Sequence, residues 1–403
     1  MDANANMTRI LVGSMALIVL IAPTFWPAPY HKGLKAPLEQ EEEEESGWLH
    51  VEGRYIKDAS GQNVFLRGAA IGDLSWRTSF QGDISQRLDQ LSALTDGKAN
   101  IVRCTLTPNP QTTKPSDPFY PWTATLVDVE NNIWETETHP EVYMEEVDEL
   151  LTHAERNNIR VIVEFHGGFT APGNIERYGG DPMGPNSYVS ALALDPTPWI
   201  EWHLFWVNRY SDDTRVIGFE LWNEPWDAAF GNGDKMLGKQ RWVNMATQAA
   251  EAIDEANPDA LIIVPSVPYS QVMQEWVDDP LPYNVVYGWD TYYQHWADYW
   301  KEEYRNGDYQ GGYEKTYRML HQYHIGAAVD AGLPTLCNEF GWTMNEAKEP
   351  AWETQMADFL TILKGWEANW YIWMWWNSAN FGLARNNDYS ELSPYGQVWA
   401  DNL

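Results

Sequence analysis

From about residue 60 the chain repeats one alternation, a short apolar run followed by a longer stretch whose apolar residues recur at helical spacing. The short runs are Val64–Arg67, Asn100–Thr105, Arg160–His166, Val216–Asn223, Ala260–Val264, Asn284–Tyr287, Thr335–Glu339 and Tyr371–Trp376. They are rich in Val, Ile and aromatics, as strands buried on both faces of a parallel sheet should be. Between them, Tyr143, Met144, Val147, Leu150, Leu151 and Ala154 form one apolar stripe, and Trp242, Ala246, Ala249, Ile253 and Ala256 form another. Trp352, Met356, Phe359, Leu360 and Leu363 form a third. Each stripe predicts a helix with one buried face. Eight strands with intervening helices spell a (β/α)8 TIM barrel with long loops at the carboxyl ends of its strands. An open doubly wound sheet is the alternative, and the absence of a Gly-rich first turn counts against it.

In a barrel, chemistry gathers at the carboxyl ends of the strands. Two runs end there in a glutamate. Val216-Ile217-Gly218-Phe219-Glu220-Leu221 leads into Trp222-Asn223-Glu224-Pro225, and Pro334-Thr335-Leu336-Cys337-Asn338 leads into Glu339-Phe340-Gly341. A charge placed at the end of a buried strand is costly unless it is paired. Two carboxyls on separate strands, about 5 Å apart, are what a retaining glycosidase needs: one acid/base and one nucleophile. Two glutamates that merely cap strands are the plainer reading, and the matched contexts speak against it. Residues 106–139, 167–197 and 288–312 form long insertions after the second, third and sixth strands, and these are expected to build the walls of a cleft.

Asn-Glu-Pro behind one strand and Glu-Phe-Gly behind another, in that order, resemble glycoside hydrolase family 5, the cellulase-like members of the retaining (β/α)8 clan. The resemblance starts at Trp48-Leu49-His50-Val51-Glu52-Gly53-Arg54-Tyr55-Ile56. Gly61-Gln62-Asn63-Val64-Phe65-Leu66-Arg67-Gly68 looks like that family's opening hairpin and first barrel strand, and the likeness continues over nearly all the chain to Leu403. It implies Glu339 as nucleophile and Glu224 as acid/base. Arg103 matches the family arginine that holds the nucleophile, and His166 the third-strand histidine lining the glycone subsite. Asn223 matches the residue that hydrogen-bonds the sugar's 2-hydroxyl, and Tyr292 the tyrosine that donates to the nucleophile. On the eighth strand Trp375 best matches the tryptophan beneath the −1 sugar, which leaves Trp373 as core. Trp226, Trp289, Trp296, Trp342 and Trp376 are candidates for outer subsites, with packing the competing reading for each.

One position departs from the pattern. The family has His two residues before that tyrosine, and this chain has Asp290. Either the register is displaced, bringing in Tyr293 or His295, or the subsite uses a carboxylate. The implied activity is endo-acting hydrolysis of a β-linked polysaccharide, β-1,4-glucan first. β-Mannan, β-1,3-glucan and glycosphingolipid cleavers carry the same catalytic set, although the last resemble this barrel plus a β-sandwich. A catalytically inactive carbohydrate-binding barrel is the alternative of another class, and Asp290 keeps it open.

Composition adds bounds. The 403 residues and 44% hydrophobic content suffice for a full core, and 23 Trp with 21 Tyr supply aromatic faces suited to sugars. The net charge of −32 makes nucleic acid and anionic membranes poor partners. Residues 1–45 hold seven acids against three bases, so −28 of that charge lies beyond them. Such a surface repels itself unless salt screens it or low pH neutralises it, which suggests a saline or acidic setting; a device for solubility is the plainer reading. Cys104 and Cys337, on strands that are not neighbours, read as buried free thiols. No Cys/His cluster has zinc spacing and no phosphate or nicotinamide motif occurs, so no metal and no cofactor is expected.

Residues 10–22 form an uninterrupted apolar stretch preceded by Arg9, the build of a secretory signal's core; residues 1–30 are expected to be a signal peptide or an N-terminal membrane anchor. Residues 31–46, ending in Glu41 to Glu45, have the composition of an acidic disordered tether, and 47–403 form the barrel. An extracellular monomer, secreted or tethered to the outer membrane face and acting on a polysaccharide or oligosaccharide, follows as the expectation.

Overall fold

A computed structural model of the protein describes residues 47–74, 84–106, 125–128, 133–135, 140–166, 189, 192–292, 302–342, 350–375, 382–385 and 390–403. The chain divides into two compact units, Met1–Glu44 and Glu45–Leu403. The predicted signal or anchor and the whole of the tether lie outside the described residues. Among those residues, no helix is long and apolar enough to cross a membrane.

The second unit opens with a hairpin of β1 (His50–Glu52) and β2 (Tyr55–Lys57). Eight parallel strands follow. They are β3 (Arg67–Asp73), β4 (Ile101–Leu106), β7 (Arg160–Phe165), β8 (Val216–Glu220), β9 (Leu261–Pro265), β10 (Val285–Tyr292), β11 (Thr335–Gly341) and β12 (Asn369–Ile372). A two-stranded sheet of β5 (Thr125–Asp128) and β6 (Ile133–Glu135) sits in the insertion after β4. Each barrel strand pairs with the next in sequence, and β12 returns to pair with β3, closing the ring. That is the singly wound (β/α)8 barrel, not the open sheet.

The predicted stripes are the buried faces of Pro140–Arg156, Lys235–Ala256 and Trp352–Gly365. Val147, Leu150, Leu151 and Ala154 of the first, with Trp242, Ala246, Ala249 and Ile253 of the second, enter a core between the helices and the outer face of the barrel. Inside the barrel a separate, smaller cluster of Ile101, Ile162, Ile217, Leu261, Ile263, Val286, Leu336 and Tyr371 fills the lower layer, with Leu49, Ile56 and Leu66 of the opening segment packed into it. The interior is therefore apolar below and can only become polar above. Cys104 and Cys337 are both buried, and neither is in a disulfide.

Three strands differ most from their predicted extent, while the fourth ends early at Glu220 and the seventh runs on to Gly341. The first starts at Arg67 rather than ending there, and runs through a Gly/Ala-rich stretch of low strand propensity. Gly68 is required in it, since a Cβ there would lie 1.7 Å from the Ile101 carbonyl oxygen. The sixth continues past Tyr287 to Tyr292, so Gly288 to Tyr292 are strand and not loop. The eighth ends at Ile372, four residues early.

Candidate active site

Above the apolar layer, Arg103 on β4 occupies the barrel axis with no solvent exposure. Its Nε and Nη2 donate to the two carboxylate oxygens of Glu220 on β8 at 2.8 and 2.5 Å. Nη2 also donates to Asn223 Oδ1 at 2.9 Å, and Nη1 to Glu339 Oε1 at 2.5 Å. Glu164 of β7 lies 3.7 Å away. One buried guanidinium thus meets three carboxylates, the arrangement in which charge-assisted bonds offset the cost of removing the groups from water. The other oxygen of Glu339 accepts from the Tyr292 hydroxyl. On β10 it is thus Tyr292 that reaches Glu339; Tyr293 and His295 lie outside the described residues.

Glu224 stands opposite. One carboxylate oxygen from each of Glu224, Glu339 and Asp290 lies within 4.8 Å of the others. Three carboxyls at that spacing could also close on a cation, yet Arg103 already supplies the positive charge at Glu339. Burial, and then the charge of Glu339, push the Glu224 carboxyl up to about 8. Its backbone is held at φ +44°, a left-handed conformation that costs a non-glycine residue on the order of 1 kcal/mol and is met most often at functional positions.

The strand end that carries it is fixed from beneath. The Leu221 carbonyl accepts from Trp199 Nε1 and from the His203 ring, both at 3.1 Å, and the Asn223 amide donates to the Phe165 carbonyl. Burial drives His203 down to about 3, so it donates as a neutral ring. Phe165, Trp199, Trp202 and Trp222 close edge-to-face or tilted around it, with ring centroids 4.8–6.4 Å apart.

His166 follows β7 directly, and its ring lies 3.3 Å from both Glu164 oxygens. Burial alone would lower it, but the Glu164 carboxylate outweighs that and raises it to about 9. On its other side it stacks parallel to Trp373, with centroids 6.1 Å apart and planes 8° from parallel.

Arg103, Asn223, Glu224, Tyr292 and Glu339 thus converge, and His166 joins them through Glu164. Trp375 does not. It has no exposure and packs in the outer core, whereas Trp373 is half-buried at the site. The expected burial of the two is therefore reversed, with Trp375 in the core and Trp373 facing the site. Alternation by twos holds only inside a strand, and this one stops at Ile372 before either tryptophan. Trp289 and Trp342 are likewise core, while Trp226 is half-buried and stacks on Tyr269; Trp296 and Trp376 fall outside the described residues. Glu164, Glu220 and Asn338, whose amide donates to Glu220 at 2.9 Å, were not among the sequence candidates. Their signal was an acid or amide interrupting an otherwise apolar strand.

The cellulase model of glycosyl hydrolase family 5 matches residues 58–379. Endoglucanase B of Acetivibrio thermocellus is 25% identical over 272 residues, which are 63% of this chain and 44% of that protein. Endoglucanase G of the same organism is 23% identical over 402 residues, covering 85% of this chain and 68% of that one. The chain thus spans less than half the length of the first of these relatives. The catalytic domain of the major endoglucanase from Xanthomonas campestris pv. campestris superposes with a TM-score of 0.60 at 18% identity, over 88% of this chain and 99% of that one. With the match of the family model running across the whole barrel, the chain belongs to the cellulase family of glycosyl hydrolases, family 5.

Proposed function

We propose that the protein is a retaining, endo-acting β-glycosidase that cleaves β-1,4-glucan, with Glu339 as nucleophile and Glu224 as acid/base. The observation that carries this is the spacing of the two carboxyls, within 4.8 Å, close to the value for double displacement and too short for an inverting enzyme to seat a water between them. Glu339, held by Arg103 and Tyr292, attacks the anomeric carbon while Glu224 protonates the departing glycosidic oxygen. Once Glu339 is esterified its charge is gone, the Glu224 carboxyl becomes more acidic, and it can take a proton from the water that frees the sugar. The Asn223 oxygen is occupied by Arg103, which leaves its NH2 for the 2-hydroxyl. Trp373 offers the platform for the −1 sugar.

The glucan assignment follows the two Acetivibrio relatives, both named endoglucanases. Reducing-sugar release from β-1,4-glucan, β-mannan, xyloglucan and β-1,3-glucan tests it, with proton NMR of the first-formed anomer. The expected outcome is glucan turnover with retained configuration, lost in Glu339→Gln and reduced about 10²–10⁴-fold in Glu224→Gln. Inverted product, or full activity in either variant, would refute the assignment. Since Glu224 must begin protonated, kcat/KM should fall as pH rises past about 8.

A further inference from the structure

Asp290 is the residue in the site that the reaction above leaves without a role. Its side chain is 1% exposed, and neither carboxyl oxygen has a hydrogen-bond partner. It is aimed at the centre by an irregularity in the sheet. Trp289 pairs with Cys337 but Asp290 pairs with Glu339, so Asn338 is the extra residue of a bulge, and Asp290 comes level with Glu339. Bulges beside active sites commonly re-aim a side chain in this way. Glu224 also lacks a protein hydrogen bond of its own among the described residues, whereas both oxygens of Glu339 are occupied by Arg103 and Tyr292. Two carboxyls with no hydrogen-bond partner among the described residues therefore lie with an oxygen of each within 4.8 Å of the other.

We propose that Asp290 serves the reaction as a neutral carboxylic acid, a positioning residue whose O–H donates to Glu224 and steadies it when it stands as a carboxylate. The inference rests on the reading of Glu224 as acid/base. The groups facing Asp290 support the protonated form. From β11 come Glu339 and Cys337, from the end of β8 Glu220 and Glu224, from β12 Tyr371, and from its own strand Tyr292. Arg103 on β4 is the cation that acts on Asp290 among the described residues, and its bonds are spent on Glu220, Glu339 and Asn223. Burial, and then the charges of Glu339 and Glu224, hold the Asp290 carboxyl well above the usual range. The working state is thus three carboxyls with two protons, Glu339 alone ionised. When the leaving group takes the proton of Glu224, the new carboxylate accepts the hydrogen bond of Asp290; when water returns a proton to Glu224, the bond is released. Asp290 gives up no proton in the cycle. An imidazolium at this position would instead add a positive charge.

The test uses the full chain labelled with 13C at aspartate side-chain carboxyls. One resonance, absent from Asp290→Asn, should remain at its protonated position through pH 7, a result that needs no substrate. Titration of that resonance in the ordinary carboxyl range would overturn the proposal. So would its broadening by stoichiometric Mn²⁺, which would make the cluster a cation site. In turnover, Asp290→Asn keeps a donor and the same charge, so activity should stay within about threefold of wild type and the alkaline limb within about half a pH unit. Asp290→Ala should lower kcat about tenfold with little change in KM. Asp290→His should move the alkaline limb to lower pH. An alkaline limb displaced by about one unit or more in Asp290→Asn would mean that Asp290 acts ionised, and would also overturn it. A protonated Asp290 in a protein that cleaves none of the glycans would count against the proposed function alone. A normally titrating Asp290 in an active enzyme would count against this inference alone.

Discussion

Trp373 and Trp375 lie two residues apart and do opposite things. Trp373 shows a face to the site and stacks on His166; Trp375 is sealed in the outer core, its backbone amide donating to the Ala70 carbonyl at 2.7 Å. Replacing each with alanine should separate binding from stability. Trp373→Ala should raise KM about tenfold or more with little loss of melting temperature, since the face lost is the one proposed to meet sugar. Trp375→Ala should cost about 3–5 kcal/mol of stability, read by denaturant unfolding, and leave the KM of the folded fraction alone. The sequence misled at this pair because the rule of alternation was carried past the strand. It was a sound guide within strands: Ile101, Arg103 and Thr105 share a face of β4, as do Val286, Gly288, Asp290 and Tyr292 of β10. The two glutamates were legible because each stands at the carboxyl end of an apolar run, one in Asn-Glu-Pro and the other in Glu-Phe-Gly. Glu164 and Glu220 were not, because an acid inside such a run reads as strand filler until an arginine is seen opposite.

At the scale of elements, the site depends on how β10 and β11 fit. Asn338 bulges from β11 into space left by Gly288, where a Cβ would come within 2.2 Å of its Nδ2. That nitrogen donates to Glu220, and Glu220 in turn binds Arg103. Gly288→Ala should therefore push Asn338 from Glu220 and destabilise the protein by about 1–3 kcal/mol, measured by thermal or denaturant melts. It should also lower kcat, because Arg103 would lose part of what holds it against Glu339. An unchanged melting temperature would show that the bulge can shift to accommodate a methyl group. The presence of eight strands was legible from apolar runs. The extent of β10 was not, since Gly288 and Asp290 are residues that ordinarily signal a turn; the strand persists because β11 pairs with it through Tyr292, beyond the last β9 partner at Gly288.

Across the whole molecule, charge and protonation act in the same direction. Glu224, raised from 4.5 to about 8, contributes stability that is complete below 4.5 and is lost as pH rises through about 8. His166, raised from 6.5 to about 9, contributes stability that is complete below 6.5 and is lost as pH rises through about 9. The net charge of −32 adds self-repulsion over the same range. The melting temperature should consequently fall between pH 6 and pH 9, fall less in Glu224→Gln, and recover in part in molar salt. A melting temperature that is flat with pH and indifferent to salt would contradict this account.

The seam where β12 pairs with β3 has a consequence for how the protein is made. Arg103 and Glu339 are 236 positions apart, and the asparagine of β12 that caps the Leu66 amide is 303 positions from it. During synthesis β3, β4, β7 and β8 leave the ribosome long before their closing partner, at rates on the order of 5–20 residues per second. For many seconds the nascent chain therefore carries two open sheet edges, and Arg103 has Glu164 and Glu220 beside it but no Glu339. Sheet edges in that state are templates for pairing with another chain. The reactive centre is among the last parts of the fold that translation completes.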